Sequence, residues 1–489
     1  MNKSLSLPLA ALLAMAWLAV PVLAEDDADA PLEPNVKTPA KRAEVYRGEQ
    51  TEETSPAMEA KKAITNPVPW FHWGMDQRLR SIWDHNAVTL SKAAPGNDRY
   101  WQRFRTRVWG QISPTEDIDL NLRVVWEWIN FCRPDSLAYR PIDFSDVLFD
   151  RLNVEWRNVL GQPLTLKVGR QDLVYGDRWL IFEGTPLDGS RTIYFDAIKA
   201  SYNAEPLKTI FDFVVFLNGA ESDYTIPPLH NNNAFRIEHN EFGAFLYAKH
   251  RGLKNTDIDG YFIFNHRTRE KNAPAPNFGD DAKIYVVGGR VEHRFNEHWV
   301  ARAEAAQQLG RKNANALCAF GFNSRLTYFW KDKCNNQTRV AFEYQSGDDP
   351  GTGTDEQFDN MWGRWPQWSE LLQGWTGRLE FRPGEYSNFY RAGFGHSIFP
   401  SEKLELCMDY HLLFADENTY KGSAGFSNEG KFRGQLLAAL ARYTLLDPKT
   451  NPVGLYGHGI AEFFFPGNYF DSTRNDPAVF LRYELSIQF

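Results

Sequence analysis

From Trp101 onward the chain alternates. Arg103, Arg105 and Arg107 fall on one side of a period of two, with Phe104, Thr106, Val108 and Gly110 on the other. After a short turn at 113–117, Ile118, Leu120, Leu122, Val124, Trp126 and Trp128 alternate with Asp119, Asn121, Arg123 and Glu127. Leu152, Val154 and Trp156 then alternate with Arg151, Asn153, Glu155 and Arg157. Beyond the tight turn at 161–163, Leu164, Leu166 and Val168 oppose Thr165, Lys167 and Gly169. The last strand repeats the pattern: Val479, Leu481, Tyr483, Leu485, Ile487 and Phe489 face away from Arg482, Glu484, Ser486 and Gln488. Each segment is a strand with one apolar and one charged face.

Candidate strands run near 70–83, 101–112, 118–128, 152–157, 164–169, 191–203, 207–218, 240–250, 256–268, 283–295, 298–310, 317–331, 336–346, 387–398, 402–416, 430–446 and 454–467, followed by the closing strand. A further run, Trp375 to Arg382, leads into Pro383-Gly384 and is placed in a loop. Short turns alternate with longer connections such as 131–146. The pattern predicts an all-β fold, a transmembrane antiparallel up-and-down β-barrel of 18 strands, with 16 as the alternative count. An alternating last strand that ends in an aromatic resembles the C-terminal signal of bacterial outer-membrane barrels. That likeness implies recognition by the barrel-assembly machinery through the strand ending in Phe489.

The N-terminus fits this reading. Residues 1–24 carry one cation, Lys3, then an apolar run and a small-residue exit at Ala24, the pattern of a signal peptide. Residues 25–66 are polar and read as a flexible segment, which leaves 67–489 for the barrel. A mean hydropathy of −0.48 suits a barrel, because half of each strand and all of the loops are polar. Aromatic content is 15%, with 16 Trp, as expected of girdles at two membrane interfaces. A net charge of −8 argues against nucleic acid as a partner. Of the four cysteines, Cys318 and Cys334 flank one predicted hairpin and are the local candidates for a disulfide. The longest candidate loop, 346–374, holds an acidic Gly-rich part, read as solvated rather than calcium-binding, and a Trp-rich part. The Trp-rich part is read as a lumen plug, a sugar-stacking surface or interface girdle.

Leu166-Lys167-Val168-Gly169-Arg170-Gln171, running into Asp172-Leu173-Val174-Tyr175-Gly176-Asp177, resembles the alginate-export family of outer-membrane barrels. So do the strand segment 150–156, the loop opening Ser346-Gly347-Asp348-Asp349, Asp355-Glu356-Gln357-Phe358, and the end from Phe463-Phe464-Phe465-Pro466-Gly467 to Phe489. The resemblance implies an 18-stranded monomeric barrel with a basic constriction. It carries the substrate over less firmly than the fold.

Arg103, Arg105, Arg107, Arg123, Arg151, Arg157, Lys167 and Arg170 recur opposite the apolar face, and Arg391 and Arg482 join them. A charge at the lipid midplane costs about 2–4 kcal/mol, so these cations are assigned to the lumen. A basic lumen lowers the barrier to an anion, and guanidinium forks suit carboxylates. The expected function is passive, anion-selective passage of an anionic polysaccharide or its oligomers across the outer membrane. The same fold as a porin for a neutral or aromatic solute is the alternative, and an exported soluble carbohydrate-binding β-protein stands behind it. Some of the cations are expected to pair across strands with Glu127, Glu155 or Asp119. No catalytic motif, cofactor site or metal site is identified, so no enzyme activity is assigned.

Overall fold

The computed structural model describes residues 55–134, 143–183, 194–229, 235, 237, 239–271, 279–363, 366–372 and 386–489. A helix, α1 (Pro56–Thr65), leads into the sheet. Ser55 caps it by accepting the Met58 amide at 3.3 Å, and Pro56 opens its first turn. The end of the polar stretch before the barrel is thus helical, started by a cap and a proline. Trp73 donates its indole N–H to the Ile64 carbonyl at 2.8 Å and ties the helix to the first strand.

The sheet holds 19 hydrogen-bonded pieces. One is the two-residue fragment Thr354–Asp355, which lies parallel to its neighbour. The other 18 are barrel strands: β1 (Phe71–His85), β2 (Asp98–Thr115), β3 (Ile118–Arg133), β4 (Asp143–Trp156), β5 (Leu164–Gln171), β6 (Phe195–Ala204), β7 (Thr209–Asn218), β8 (His239–Leu253), β9 (Thr256–Arg269), β10 (Ala282–Arg294), β11 (Trp299–Lys312), β12 (Asn315–Phe329), β13 (Gln337–Gln345), β14 (Phe389–Ser401), β15 (Leu404–Phe414), β16 (Phe432–Leu446), β17 (Gly454–Pro466) and β18 (Ala478–Gln488). Each pairs antiparallel with the next. β1 pairs with β18 from Asp76↔Gln488 to His85↔Val479, so the sheet closes. The count of 18 holds and the alternative of 16 does not, while Trp375–Arg382 lies outside the described residues.

The even count puts both ends of the sheet on one rim. That rim carries the short turns at 116–117, 157–163, 205–208, 254–255, 295–298, 330–336, 402–403 and 447–453. The other rim carries the long connections, of which 172–194 and 346–388 matter most below. The polar connection expected at 131–146 is shorter than read, because β3 runs to Arg133 and β4 begins at Asp143. A bulge at Asp150 in β4, where Val124 pairs with Phe149 and Arg123 with Arg151, had hidden the strand's period of two.

The outer face is apolar along the wall: Val108, Val154, Ile198, Phe213, Leu246, Val287, Phe394 and Met408 are exposed. Stacked aromatics flank this band. Trp299, Tyr328 and Trp330 meet near the turn rim, with Trp299 and Tyr328 ring centres 4.8 Å apart. Phe414 and Phe432 meet near the loop rim at 5.0 Å. The four thiols are free, so Cys318 and Cys334 form no disulfide. Cys318 lies early in β12, and Cys334 lies in the turn after that strand's far end.

Closure has a direct test. Ser81 and Tyr483 are register partners across the β1–β18 seam. Ser81→Cys with Tyr483→Cys, in a background lacking the native cysteines, is expected to cross-link within one chain and migrate faster on a non-reducing gel. Failure to cross-link would contradict the seam.

Candidate functional site

Two long connections enter the interior. The segment 172–183 packs Leu173, Tyr175, Trp179, Leu180 and Ile181 into an apolar cluster with Phe195, Phe216, Phe245, Tyr261 and Ile284 on the inner faces of β6 to β10. The second segment adds Phe358, Met361 and Trp362 to the same cluster. Trp179 stacks on Phe358 with centroids 5.1 Å apart, and the Trp362 amide donates to the Leu180 carbonyl at 3.0 Å. A dry core thus fills the barrel against β6 to β12. Such a core is not readable from alternation, because its loop half has no period.

Polar anchors fix the second segment. Asp359 takes Arg267 of β9 at 2.6 Å and Lys312 of β11 at 3.4 Å. Gln308 of β11 closes a reciprocal pair with the Asp359 backbone, at 2.7 and 2.8 Å. The indole of Trp362 donates to Glu241 of β8 at 2.8 Å, and that of Trp368 donates to Glu343 of β13 at 3.0 Å. Farther on, Glu462 of β17 accepts from the Ser369 hydroxyl at 2.6 Å and from the amides of Glu370 and Leu371 at 2.7 and 3.1 Å. Arg482 of β18 grips Glu370 at 2.7 Å. β9 and β18 stand on opposite sides of an 18-strand ring, so the segment crosses the lumen as a strap. The plug among the three readings of the Trp-rich part is the observed one for Trp362 and Trp368. Asp349 instead accepts its own turn's Gly351 amide at 2.8 Å.

The predicted cations separate into groups. Arg103, Arg105 and Arg107 of β2, Arg123 of β3 and Arg151 of β4 come together on one inner wall. Arg78 and Arg80 of β1 join them, and both are fully buried. The register sets Arg78 opposite Arg105, Arg80 opposite Arg103 and Arg123 opposite Arg151. Like charges facing each other across strands are unfavourable. Carboxylates set between them offset this. Glu127 reaches Arg78 at 3.3 Å and Arg103 at 3.2 Å. Glu484 reaches Arg80 at 2.6 Å, and Asp76 reaches Arg107 at 2.8 Å and Arg105 at 3.8 Å. Asp150 takes Arg123 at 2.7 Å. Asp172, from the first inward segment, reaches Arg123 at 3.1 Å and Arg151 at 2.7 Å. Among the described residues, seven guanidiniums therefore meet five carboxylates on this wall.

Arg157 and Lys167 sit nearer the turn rim, where Arg157 reaches Asp119 at 2.5 Å and Lys167 reaches Glu155 at 2.5 Å. Arg391 reaches Glu343 at 3.1 Å and lies over the Trp368 ring, so it and Arg482 hold the strap. Arg170 is the exception. It shares the face of Val168, on the side away from the lumen, paired with Asp196 at 2.8 Å under Tyr194 and Thr225. Alternation itself places Arg170 with Leu164, Leu166 and Val168, so its assignment to the lumen is corrected. Gly169 makes the turn there: its φ is +118°, and a Cβ would lie 2.3 Å from the Leu152 carbonyl oxygen.

A second basic wall was not read from the sequence. Arg290 of β10, Arg302 of β11 and Arg325 of β12 line it, with Arg302 directly opposite Arg325. Asp177 of the first inward segment reaches Arg290 at 3.1 Å and Arg302 at 3.3 Å. Arg325 makes no hydrogen bond or ion pair among the described residues. The signal is present in the period-two faces of β10 to β12. The loop carboxylates are held ionised. Burial alone pushes Asp172 up, yet Arg123 and Arg151 bring it down to about 2. Burial likewise opposes ionisation of Asp359, and Arg267 and Lys312 outweigh it. Among the described residues no cluster of His, Cys, Asp and Glu could hold a metal.

Asp359 is the buried anchor, and Asp359→Ala removes the short Arg267 pair, leaving Arg267 to Glu241 at 3.6 Å and Lys312 to Asp280 at 3.3 Å. A cost of about 3–5 kcal/mol is expected, read as a lowered urea midpoint of folding in micelles. Because Asp172 is depressed in the folded state, its contribution is full above the unfolded carboxylate value of ~3.9 and is lost as pH falls from there through about 2. Proteolysis of segment 172–183 should therefore be unchanged between pH 7 and 5, and loosening already at pH 5 would contradict the pairing.

The family model for alginate export matches residues 70–419. Among solved structures, the chain is similar to OccK5 (OpdH) of Pseudomonas aeruginosa at 10% identity and a TM-score of 0.53, over 85% of this chain and 98% of that one. It is also similar to OpdO of Pseudomonas aeruginosa (12%, TM-score 0.52, 86% and 98%) and to OccAB3 of Acinetobacter baumannii (11%, TM-score 0.51, 85% and 99%). At these identities the likeness is one of fold. No curated protein sequence matches the chain. The family match spans most of the sequence and agrees with the closed barrel, and together they support an outer-membrane channel. The chain belongs to the alginate export family.

Proposed function

We propose that the chain is a passive, anion-selective outer-membrane channel for an acidic polysaccharide or its oligomers. The observation that carries this reading is the arginine wall of β1 to β4, where seven guanidiniums meet five carboxylates among the described residues. A carboxylate-bearing sugar chain meets forked donors there, and exchanging one guanidinium for the next keeps it solvated by charge-assisted hydrogen bonds along the wall. Arg325 across the lumen adds a guanidinium that makes no hydrogen bond or ion pair among the described residues. The apolar outer face and aromatic flanks support insertion into a bilayer, and an exported mature chain following cleavage after Ala24 belongs to the same reading. Transport rather than catalysis is the role this supports.

A second reading, a porin for a neutral solute, is favoured by the density of pairing, since every member of the β1 to β4 wall has a carboxylate within reach. The two differ in one measurement. Refolded protein in a planar bilayer under a KCl gradient should show a reversal potential on the chloride side, with concentration-dependent block by oligoalginate. Arg105→Gln and Arg325→Gln are each expected to move that potential toward zero. Cation selectivity in the wild type would overturn the anion reading, and conductance without block would remove the polyuronate.

A further inference from the structure

Three aspartates of the inward segments are each shared by two cations: Asp172, Asp177 and Asp359. They differ in access to water. The Asp359 group is sealed, with side-chain exposures of 4% for Asp359, 2% for Arg267 and 1% for Lys312. The other two are open on one side. Asp172 is 13% exposed and its partner Arg151 is 36% exposed. Asp177 is 23% exposed and its partner Arg302 is 19% exposed. All four partners of these two aspartates are arginines on the barrel wall.

We propose that the Arg123–Arg151 and Arg290–Arg302 pairs are two carboxylate-exchange sites. In the resting channel each holds a carboxylate from the chain's own inward segment, and each releases it to the carboxylate of a passing sugar acid. The inference rests on the anion-channel reading and deepens it. The geometry already displays the ligand: Asp172 places both oxygens 3.1 Å from the Arg123 terminal nitrogen while Arg151 approaches one of them at 2.7 Å. A uronate carboxylate is the same functional group, and the exposed edges of Arg151 and Arg302 give it an approach from water. Exchange moves side chains, not the segment. Leu173, Tyr175, Trp179, Leu180 and Ile181 are buried in the dry core and keep the backbone between the two aspartates in place. Asp172 lies beside Leu173, and Asp177 follows Gly176 in a turn, so each has only its own side-chain torsions to change. The total charge at each site is conserved when one carboxylate replaces another, which keeps the facing pair Arg123 and Arg151 from ever standing unscreened.

The test uses the full-length refolded protein, with galacturonate trimer as probe and maltotriose as the neutral control. Asparagine at both positions removes the two loop carboxylates, while Asp150 stays on Arg123 at 2.7 Å and Glu292 stays on Arg290 at 2.6 Å and Arg302 at 2.7 Å. Asp172→Asn with Asp177→Asn is expected to lower the half-blocking concentration of galacturonate trimer about tenfold, roughly the worth of one charge-assisted hydrogen bond. Block by maltotriose should not change. In the wild type, hydrogen exchange of amides 172–178 and of 355–362 should both stay unchanged when the trimer saturates the channel, because only side chains move. An unchanged or raised half-blocking concentration, or faster exchange at 172–178, overturns the inference. Heat-modifiable migration of the double variant confirms that it folds, and each single variant repeats the measurement should the pair not refold. The two failures separate: a cation-selective wild type sinks the channel reading, whereas an anion-selective, blockable wild type whose block ignores Asp172 and Asp177 sinks only the exchange.

Discussion

Arg78 and Arg105 face each other across two strands, as do Arg80 and Arg103, in the interior of a closed sheet. Nothing in a barrel wall makes that arrangement comfortable, and much of the interior follows from how it is relieved. Glu127 gives one oxygen to Arg78 and the other to Arg103, and Glu484 shares one oxygen between Arg78 and Arg80. Where the wall itself runs short of acid, the loops supply it, as Asp172 does for Arg123 and Arg151. Removing an acid from such a buried lattice leaves a stranded charge, which costs far more than a surface ion pair contributes. The lattice therefore fixes the positions of the loop residues that enter it.

The remaining interior is handled by the opposite chemistry. Against β6 to β12 the barrel is filled by tryptophans, tyrosines and phenylalanines, and the polar atoms of those aromatics reach the wall's glutamates. Trp362 is buried against Phe195 and Phe216 while its indole N–H meets Glu241. The part of the lumen beside that core is thus apolar, and the parts beside the arginine walls of β1 to β4 and β10 to β12 are charged and partly wet. The strap has one end at Asp359, under Arg267, and the other at Ser369 to Leu371, on Glu462.

Alternation made the wall legible. It located the strands, their antiparallel order and the face on which Arg103, Arg105, Arg107 and Arg123 stand, because a period of two survives in any single sequence. It failed where the chain departs from that period. Asp150 sits in a bulge and faces the lumen beside Arg151. Arg170 is different, since the pairing of β5 continues past Gly169 and the period of two itself sets Arg170 on the face of Val168. The strap could not be read at all, since its contacts join residues such as Asp359 and Arg267, 92 positions apart. Arg290, Arg302 and Arg325 obey the same period-two rule as Arg103 and are legible by it.

The seam between β1 and β18 has a kinetic meaning. Arg80 and Glu484 touch across it although 404 positions separate them in the chain. Until β18 arrives, β1 has an unpaired edge whose amides and carbonyls are open to any strand that comes near. The neighbouring hairpins can form locally, but this last pairing closes a loop of nearly the whole molecule, and contacts of such separation form slowly. Ring closure is then the slow step of folding, and the edges of β1 and β18 are where an unfinished molecule is most open to aggregation.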